Sequence, residues 1–337
     1  MKLHHKALRH FISVSVIVLT SSFLVYELVA SDRAMSAYMR YIIEKADSSF
    51  LYDKYTNQSI AAHMMRQFSS PKKPEQRKAL CTAFETVNGI HGFNLTTHDY
   101  LPLRGTLQTH SPSCIEQLDD IFLLPAFDQA VNANRERVDY GQGLGTMEYK
   151  FRYYIDLKND YIYFYNLVNS YQFTMNHWSF LQKGTLGINQ NDIDDVFTGR
   201  TVISSIYQDD LTQEKVMSFL TPVYYTGKLK GVVMVDVNKD NLKNIFYTND
   251  RPLVWHYLNV TLSDINSGKE IIIHQSESDL FQYVHYINDL PGGMRITLSL
   301  DFMYFIVSSW KLFAFYLLAT ALLLNMVRMH FRLYHNV

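Results

Sequence analysis

Cysteine, glycine, proline and net charge are all scarce: two, 14 and 8 residues of the first three in 337, and a formal net charge of −1. Each scarcity excludes something. Two cysteines cannot complete a structural zinc site, and no histidine lies at ligand spacing beside Cys81 or Cys114. With 31 basic and 32 acidic residues and no basic run, the chain lacks the stripe of a nucleic-acid binder. Gly141, Gly143 and Gly145 superficially suggest a phosphate-cradling loop, but no apolar strand precedes them and no Gly-Lys-Ser/Thr ending follows, so they read as a flexible turn. The Gly-Xaa-Ser-Xaa-Gly elbow, the His-Glu-Xaa-Xaa-His helix and the Cys-Xaa-Xaa-Cys pair are missing too. His256, His274 and His285 match no metal spacing and read as ordinary histidines. An enzyme complete within these residues has little support.

Charge is also missing from a stretch near the end. From Leu312 to Val327 no charge occurs, and the apolar run Phe305 to Val327 reaches the roughly 20 residues that span a hydrocarbon core. Trp310 and Lys311 suit one headgroup layer, and Arg328 and Arg332 mark the other end as cytoplasmic. Phe11 to Ala30, behind Lys2, Lys6 and Arg9, reads as a first span with a cytoplasmic amino end. The alternative is a cleaved signal peptide with Val29-Ala30-Ser31 at the cut; the run exceeds the usual h-region of about 7 to 15 residues, which favours retention. Glu27 and Lys311 fall at similar depth, so they either pair across the two spans or snorkel separately to the headgroups. The intervening residues then lie outside the cell membrane. In an oxidising compartment Cys81 and Cys114 are expected to be bonded, with two buried thiols as the alternative.

Residues 32–68 contain neither proline nor glycine, and Met35, Met39, Ile42, Ala46 and Phe50 recur three or four apart. They predict one long helix emerging from the membrane, ended by the two prolines of residues 69–75. Helical patterns follow at 77–88 and 114–132, the latter interrupted by Pro125, with a short strand at 94–100. An aromatic hairpin is expected from 149–157 and 161–168, then a helix at 191–198. Strands at 200–207, 215–225 and 232–237, joined in the last case by a turn over 226–231, lead to a helix at 240–247. A second, smaller sheet is expected from 258–264, 270–274, 283–288 and 294–300, with Ser-Gly-Lys and Pro-Gly-Gly turns. The fold class is α+β: antiparallel sheets with helices on one side.

This order, and above all Ser218 to Asn238 (SerPheLeuThrProValTyrTyrThrGlyLysLeuLysGlyValValMetValAspValAsn), resembles the double Cache (PAS-like) class of extracellular sensors. PheThrGlyArgThrValIleSerSerIleTyrGln, AsnIlePheTyrThrAsnAspArgPro and the closing AsnMetValArgMetHisPheArgLeuTyrHisAsnVal make the whole chain similar to the input half of enterobacterial membrane-bound diguanylate cyclases of the YeaJ type, with a gammaproteobacterial periplasmic sensor domain. The resemblance implies a cytoplasmic start at 1–10, spans at 11–30 and 305–327, a spine helix at 31–68, a membrane-distal sensor at 69–249, a membrane-proximal sheet at 250–304 and a linker from 328. In that family a GGDEF domain then makes cyclic di-GMP from GTP with magnesium. No such sequence occurs here, so the expectation is a chain without catalytic activity or cofactor of its own: a sensor half, or alternatively a truncated regulator pairing with a full-length homologue.

The resemblance also implies a ligand pocket. Asp236 stands where amino-acid-binding relatives carry an Asp after the Gly-Val-Val strand, and Trp178 matches their tryptophan in an altered context. Helix capping is the competing role for Asp236. Arg200, Tyr207 and Tyr224 are added because polar tips on one sheet face can converge on a small polar ligand. The expected partners are the lipid bilayer, a small periplasmic ligand and a second copy of the chain along the spine helix, with no nucleic acid.

Overall fold

The computed structural model describes residues 2–68, 81–96, 105–114, 123–139, 150–156, 161–165, 200–209, 213–246, 252–278 and 280–333. The expected glycine turn at 141–145 and helix at 191–198 lie outside these residues.

With no proline or glycine to stop it, helix α1 runs unbroken over Lys2–Gln67, about 100 Å at 1.5 Å per residue. Its final helix counterpart, α4, is Phe302–Leu333. Both are long and apolar enough to cross a membrane, and their most apolar windows are not buried by protein. The two touch along that apolar part through hydroxyls, Ser21 Oγ with Tyr316 Oη at 3.2 Å and Thr320 Oγ1 with Thr20 Oγ1 at 3.2 Å. Outside the first span, α1 buries Met35, Met39, Ile42, Ala46 and Phe50, and then Ile60, Ala61, Met64 and Phe68. One stripe therefore carries two cores.

The larger sheet contains β1 (Glu85–Val87), β2 (Ile90–Phe93), β3 (Thr106–Thr109), β4 (Arg152–Asp156), β5 (Tyr161–Phe164), β6 (Val202–Ile203), β7 (Tyr207–Gln208), β8 (Lys215–Tyr225) and β9 (Lys228–Asn238). Their order is β1-β2-β3-β5-β4-β9-β8-β6, with β7 also on β8, all antiparallel. The β8–β9 turn is only Thr226-Gly227, shorter than the sequence suggests. Both residues have positive φ, 49° and 74°, the backbone twist that two-residue hairpins need, so Lys228–Lys230 join the strand. At Gly231 a Cβ would lie 2.3 Å from the Ile155 carbonyl oxygen, so glycine is what lets β4 approach β9.

Helix α1 packs on one face of this sheet with α2 (Leu123–Asp139). Pro125 does not interrupt α2 because it sits in the first turn, where no amide donor is required. Tyr163 ties the pair to the sheet: its hydroxyl lies 2.7 Å from both Asp128 carboxylate oxygens and accepts from the Gly105 amide at 2.8 Å. Cys81 and Cys114 are disulfide-bonded beside this core, Cα atoms 5.5 Å apart.

Three local expectations fail. Residues 85–87 are strand, not helix, because the Glu85 carboxylate accepts from the Leu95 and Thr96 amides and from the Thr96 hydroxyl, fastening β1 to the residues just past β2. For the same reason 94–96 form a bend, with Asn94 at φ 54°, and the strand comes earlier, at Ile90–Phe93. The expected strand at 200–207 is two short pieces. Between them Ser204 accepts the Ser218 amide with its hydroxyl at 2.8 Å, a side chain taking a ladder position.

The smaller sheet, order β11-β10-β13-β12, has β10 (Leu258–Asp264), β11 (Glu270–His274), β12 (Gln282–Leu290) and β13 (Met294–Asp301). Its inner face, including Leu258, Val260, Leu262, Ile271, Ile273, Ile296 and Leu298, shares one core with α1 residues 35–50 and with α3 (Lys239–Phe246). Strand β13 passes directly into α4. Asp301 caps that helix, accepting from the Met303 amide at 2.7 Å, while it also holds Ser278 and the Leu280 amide at 3.0 Å.

Candidate functional site

Alternation along β9 sends Val233, Val235 and Val237 toward the helices and Val232, Met234 and Asp236 to the opposite face. No described helix covers that face. Across from Asp236 on β8 is Ser218, and β4 and β7 bring Tyr153 and Tyr207. All three hydroxyls converge on one oxygen, Asp236 Oδ1: Ser218 Oγ at 2.5 Å, Tyr153 Oη at 3.0 Å and Tyr207 Oη at 3.3 Å. Tyr207 and Ser218 are themselves 2.6 Å apart. Among the described residues Oδ2 accepts no hydrogen bond, and the side chain remains only half-buried.

Burial raises the Asp236 carboxyl to a pKa of about 7, with the charge of Asp209 adding to the rise and the three hydroxyl donors opposing it. The two phenols are pushed well up, first by burial and then by Asp236, so they stay protonated donors. A carboxylate poised near neutrality, with one oxygen held and one open, suits a small hydrogen-bonding cation. Among the described residues no imidazole joins Ser218 and Asp236. Among the described residues no three His, Cys, Asp or Glu side chains gather as a metal site.

Of the residues singled out from sequence, the structure brings Asp236 and Tyr207 together. It does not bring Tyr224 or Arg200 to them. Tyr224 pairs with Leu229, about six residues and roughly 20 Å along the strand from Ser218. Arg200 is exposed ahead of the edge strand β6. Trp178 lies outside the described residues. The capping role considered for Asp236 belongs to Asn238, whose side chain accepts from the Asn241 amide at 2.9 Å while Asn241 accepts from the Asn238 amide at 3.0 Å. Glu27 and Lys311 form no ion pair; the Lys311 ammonium lies 5.9 Å from the Trp310 ring centroid, on the exposed side of the helix.

Tyr153 and Ser218 were missed. Their signal was parity: both share the face of Asp236, Ser218 directly opposite it and Tyr153 one strand away. A second polar group was missed on the helix side. Lys150 Nζ donates to Asp53 Oδ2 at 2.6 Å, Arg152 to Asp53 Oδ1 at 3.1 Å and to Asn57 Oδ1 at 2.5 Å, and Asn57 to the Phe219 carbonyl at 3.0 Å. All four side chains are buried. Burial lowers the Arg152 pKa and Asp53 opposes that shift. Asp53 and Asn57 continue the apolar stripe of α1, where a carboxylate demands a cation.

The model of the gammaproteobacterial periplasmic sensor domain matches residues 31–301. The chain belongs to that family. This sensor domain thus takes in α1 from the end of the first span through both sheets, and it contains Asp236. The whole chain is 64% identical, over 340 residues, to the probable diguanylate cyclase DgcJ of Escherichia coli K12, and covers 68% of that relative. Among solved structures, the ligand-binding domain of the Campylobacter jejuni chemoreceptor Tlp3 with L-valine is 11% identical, covering 85% of this chain and 98% of that one, TM-score 0.39. The ligand-binding domain of the Pseudomonas aeruginosa PAO1 amino acid chemoreceptor PctB with L-Arg is 15% identical, covering 45% and 70%, TM-score 0.25. Likenesses at that level do not bear on this domain's ligand.

Proposed function

We propose that the chain is the periplasmic sensing and transmembrane input part of a diguanylate cyclase of the inner membrane. One observation carries this reading: identity of 64% to DgcJ runs through the whole chain, spans included. The two apolar helices bracket the sensor domain, with both ends of the chain on the cytoplasmic side. Asp236 is the ligand contact, flanked by Tyr153, Tyr207 and Ser218, and it takes the ammonium group of a small molecule. The architecture is a double Cache one, with the ligand site on the larger, membrane-distal sheet and the smaller sheet next to the bilayer. Two copies pair along α1, and the ligand biases the position of α4 by its differential affinity for two arrangements.

The test is an immunoblot of native membranes with an antibody to residues 31–301, together with turnover of GTP by those membranes. A polypeptide longer by the size of one domain, roughly 100 to 200 residues, with cyclic di-GMP as product, is expected. A native product ending near Val337 that forms no cyclic di-GMP overturns the reading in favour of a regulatory partner.

A further inference from the structure

The geometry points to Asp53, Asn57 and Arg152 as positioning residues that couple the Asp236 site to the long helix. This rests on Asp236 being the ligand contact. Neighbouring residues on a strand face opposite ways, and here the two faces carry the two polar groups back to back. On β4, Tyr153 holds Asp236 while Arg152 holds α1. On β8, Ser218 holds Asp236 while the next residue, Phe219, offers its carbonyl to Asn57. Val235 pairs with both Arg152 and Phe219, so these three residues form one row across β4, β9 and β8, immediately beside Asp236. The Asp236 amide also bonds the Phe151 carbonyl at 2.9 Å. A ligand that draws Tyr153, Ser218 and Asp236 closer therefore displaces the row that grips the helix.

The rest of the α1 interface cannot read such a displacement as sharply. On either side of this latch of Asp53, Asn57 and Arg152 the helix presents Met35 to Phe50 and Ile60 to Phe68, apolar surfaces whose attraction is non-directional. The latch bonds are 2.5 to 3.1 Å long and directional, and a slip of one residue, about 1.5 Å, breaks them. The buried cations make that breakage costly unless α1 moves with the sheet. Any such movement of α1 reaches the smaller sheet, which shares its core and continues into the capped start of α4.

The test is a double-mutant cycle read by amide exchange of residues 49–60, with the full chain in lipid nanodiscs. Asp236→Ala removes the acceptor for three hydroxyls and is expected to change exchange there about fivefold, within the range for residues in one network. In an Arg152→Met background the same substitution is expected to change it less than about twofold. Where Arg152→Met does not fold, Asn57→Ala replaces it, keeping the Asp53 ion pairs while cutting the bonds of Asn57 to Arg152 and to the Phe219 carbonyl. Equal changes in both backgrounds, or no change at 49–60, overturn the proposal. The cycle uses no ligand, so it stands apart from the ligand reading, which fails separately if a panel of the 20 common L-amino acids, each added alone, produces no Asp236-dependent binding.

Discussion

Asp236→Asn should make the protein more stable at pH 8. Asparagine keeps an oxygen for the three hydroxyls but removes a charge from a site that disfavours it. In the folded chain the carboxyl has a pKa of about 7, against 3.8 for an ordinary aspartate carboxyl. Between those values the unfolded chain has lost the proton while the folded chain keeps it. Stability therefore falls as pH rises through this window, by at most about 1.4 kcal/mol per pH unit, and is flat with respect to this group above about pH 7. The whole shift corresponds to roughly 4 kcal/mol as an upper limit, and the solvent access of a half-buried side chain reduces it to about 2 kcal/mol. For a domain of this size that is about 4 to 8 °C in melting temperature. Intrinsic-fluorescence melts of wild type and variant in nanodiscs, from pH 5 to pH 8.5, isolate the term as a difference, since other titrating groups are common to both. The variant's lead in melting temperature should widen from pH 5 up to about pH 7 and stay constant above it. A variant less stable than wild type at pH 8, or a constant gap at every pH, would refute the reasoning.

Binding of an ammonium ligand should strengthen about tenfold per pH unit up to pH 7 and then level off, because the ligand prefers the ionised carboxylate; calorimetric titration of an amine that binds would show it, and a flat profile would count against Asp236 as the contact. Replacing Cys81 and Cys114 together by serine should cost roughly 3 kcal/mol, since the bond closes a loop with a sequence separation of 33, and a melting temperature unchanged by the replacement contradicts that. Asp301→Ala removes the acceptor for Met303, Ser278 and Leu280, and should cost about 2 kcal/mol and speed amide exchange at the start of α4. Glu27→Gln should change stability by less than about 0.5 kcal/mol, since Glu27 has no ion pair with Lys311 to lose; a larger loss would mean that they pair in the bilayer.

Long periodic stretches were legible and short tertiary ones were not. The helix through Met35 and Phe50, the strands at 215–225 and 258–264 and the Pro-Gly-Gly turn follow from spacing, because local pattern and burial agree there. Residues 85–87 did not, because one carboxylate, Glu85, fixes them through side-chain bonds to Leu95 and Thr96 that apolar periodicity does not register. The site was half legible. Asp236 was singled out through the resemblance to amino-acid-binding sensors, and Tyr207 as a polar tip on a sheet face. Tyr153 looked like one more aromatic in a tyrosine-rich hairpin, since strand order across β4, β9 and β8 is invisible locally. Tyr224 and Arg200 were misplaced because a shared face says nothing about distance along the strand. Asp53 and Asn57 were readable in principle, as polar residues on an apolar helical stripe, but their partners lie about 95 and 162 residues away in sequence.

The most direct measurement of the central claim is calorimetric titration of the full chain in nanodiscs with the 20 common L-amino acids and simple polyamines, repeated with Asp236→Asn. The account predicts that at least one amine binds the wild type and that the variant loses that binding by two orders of magnitude or so, as expected when a buried charge partner is removed. Binding of the same amine with equal affinity to both proteins, or of none to either, would contradict it.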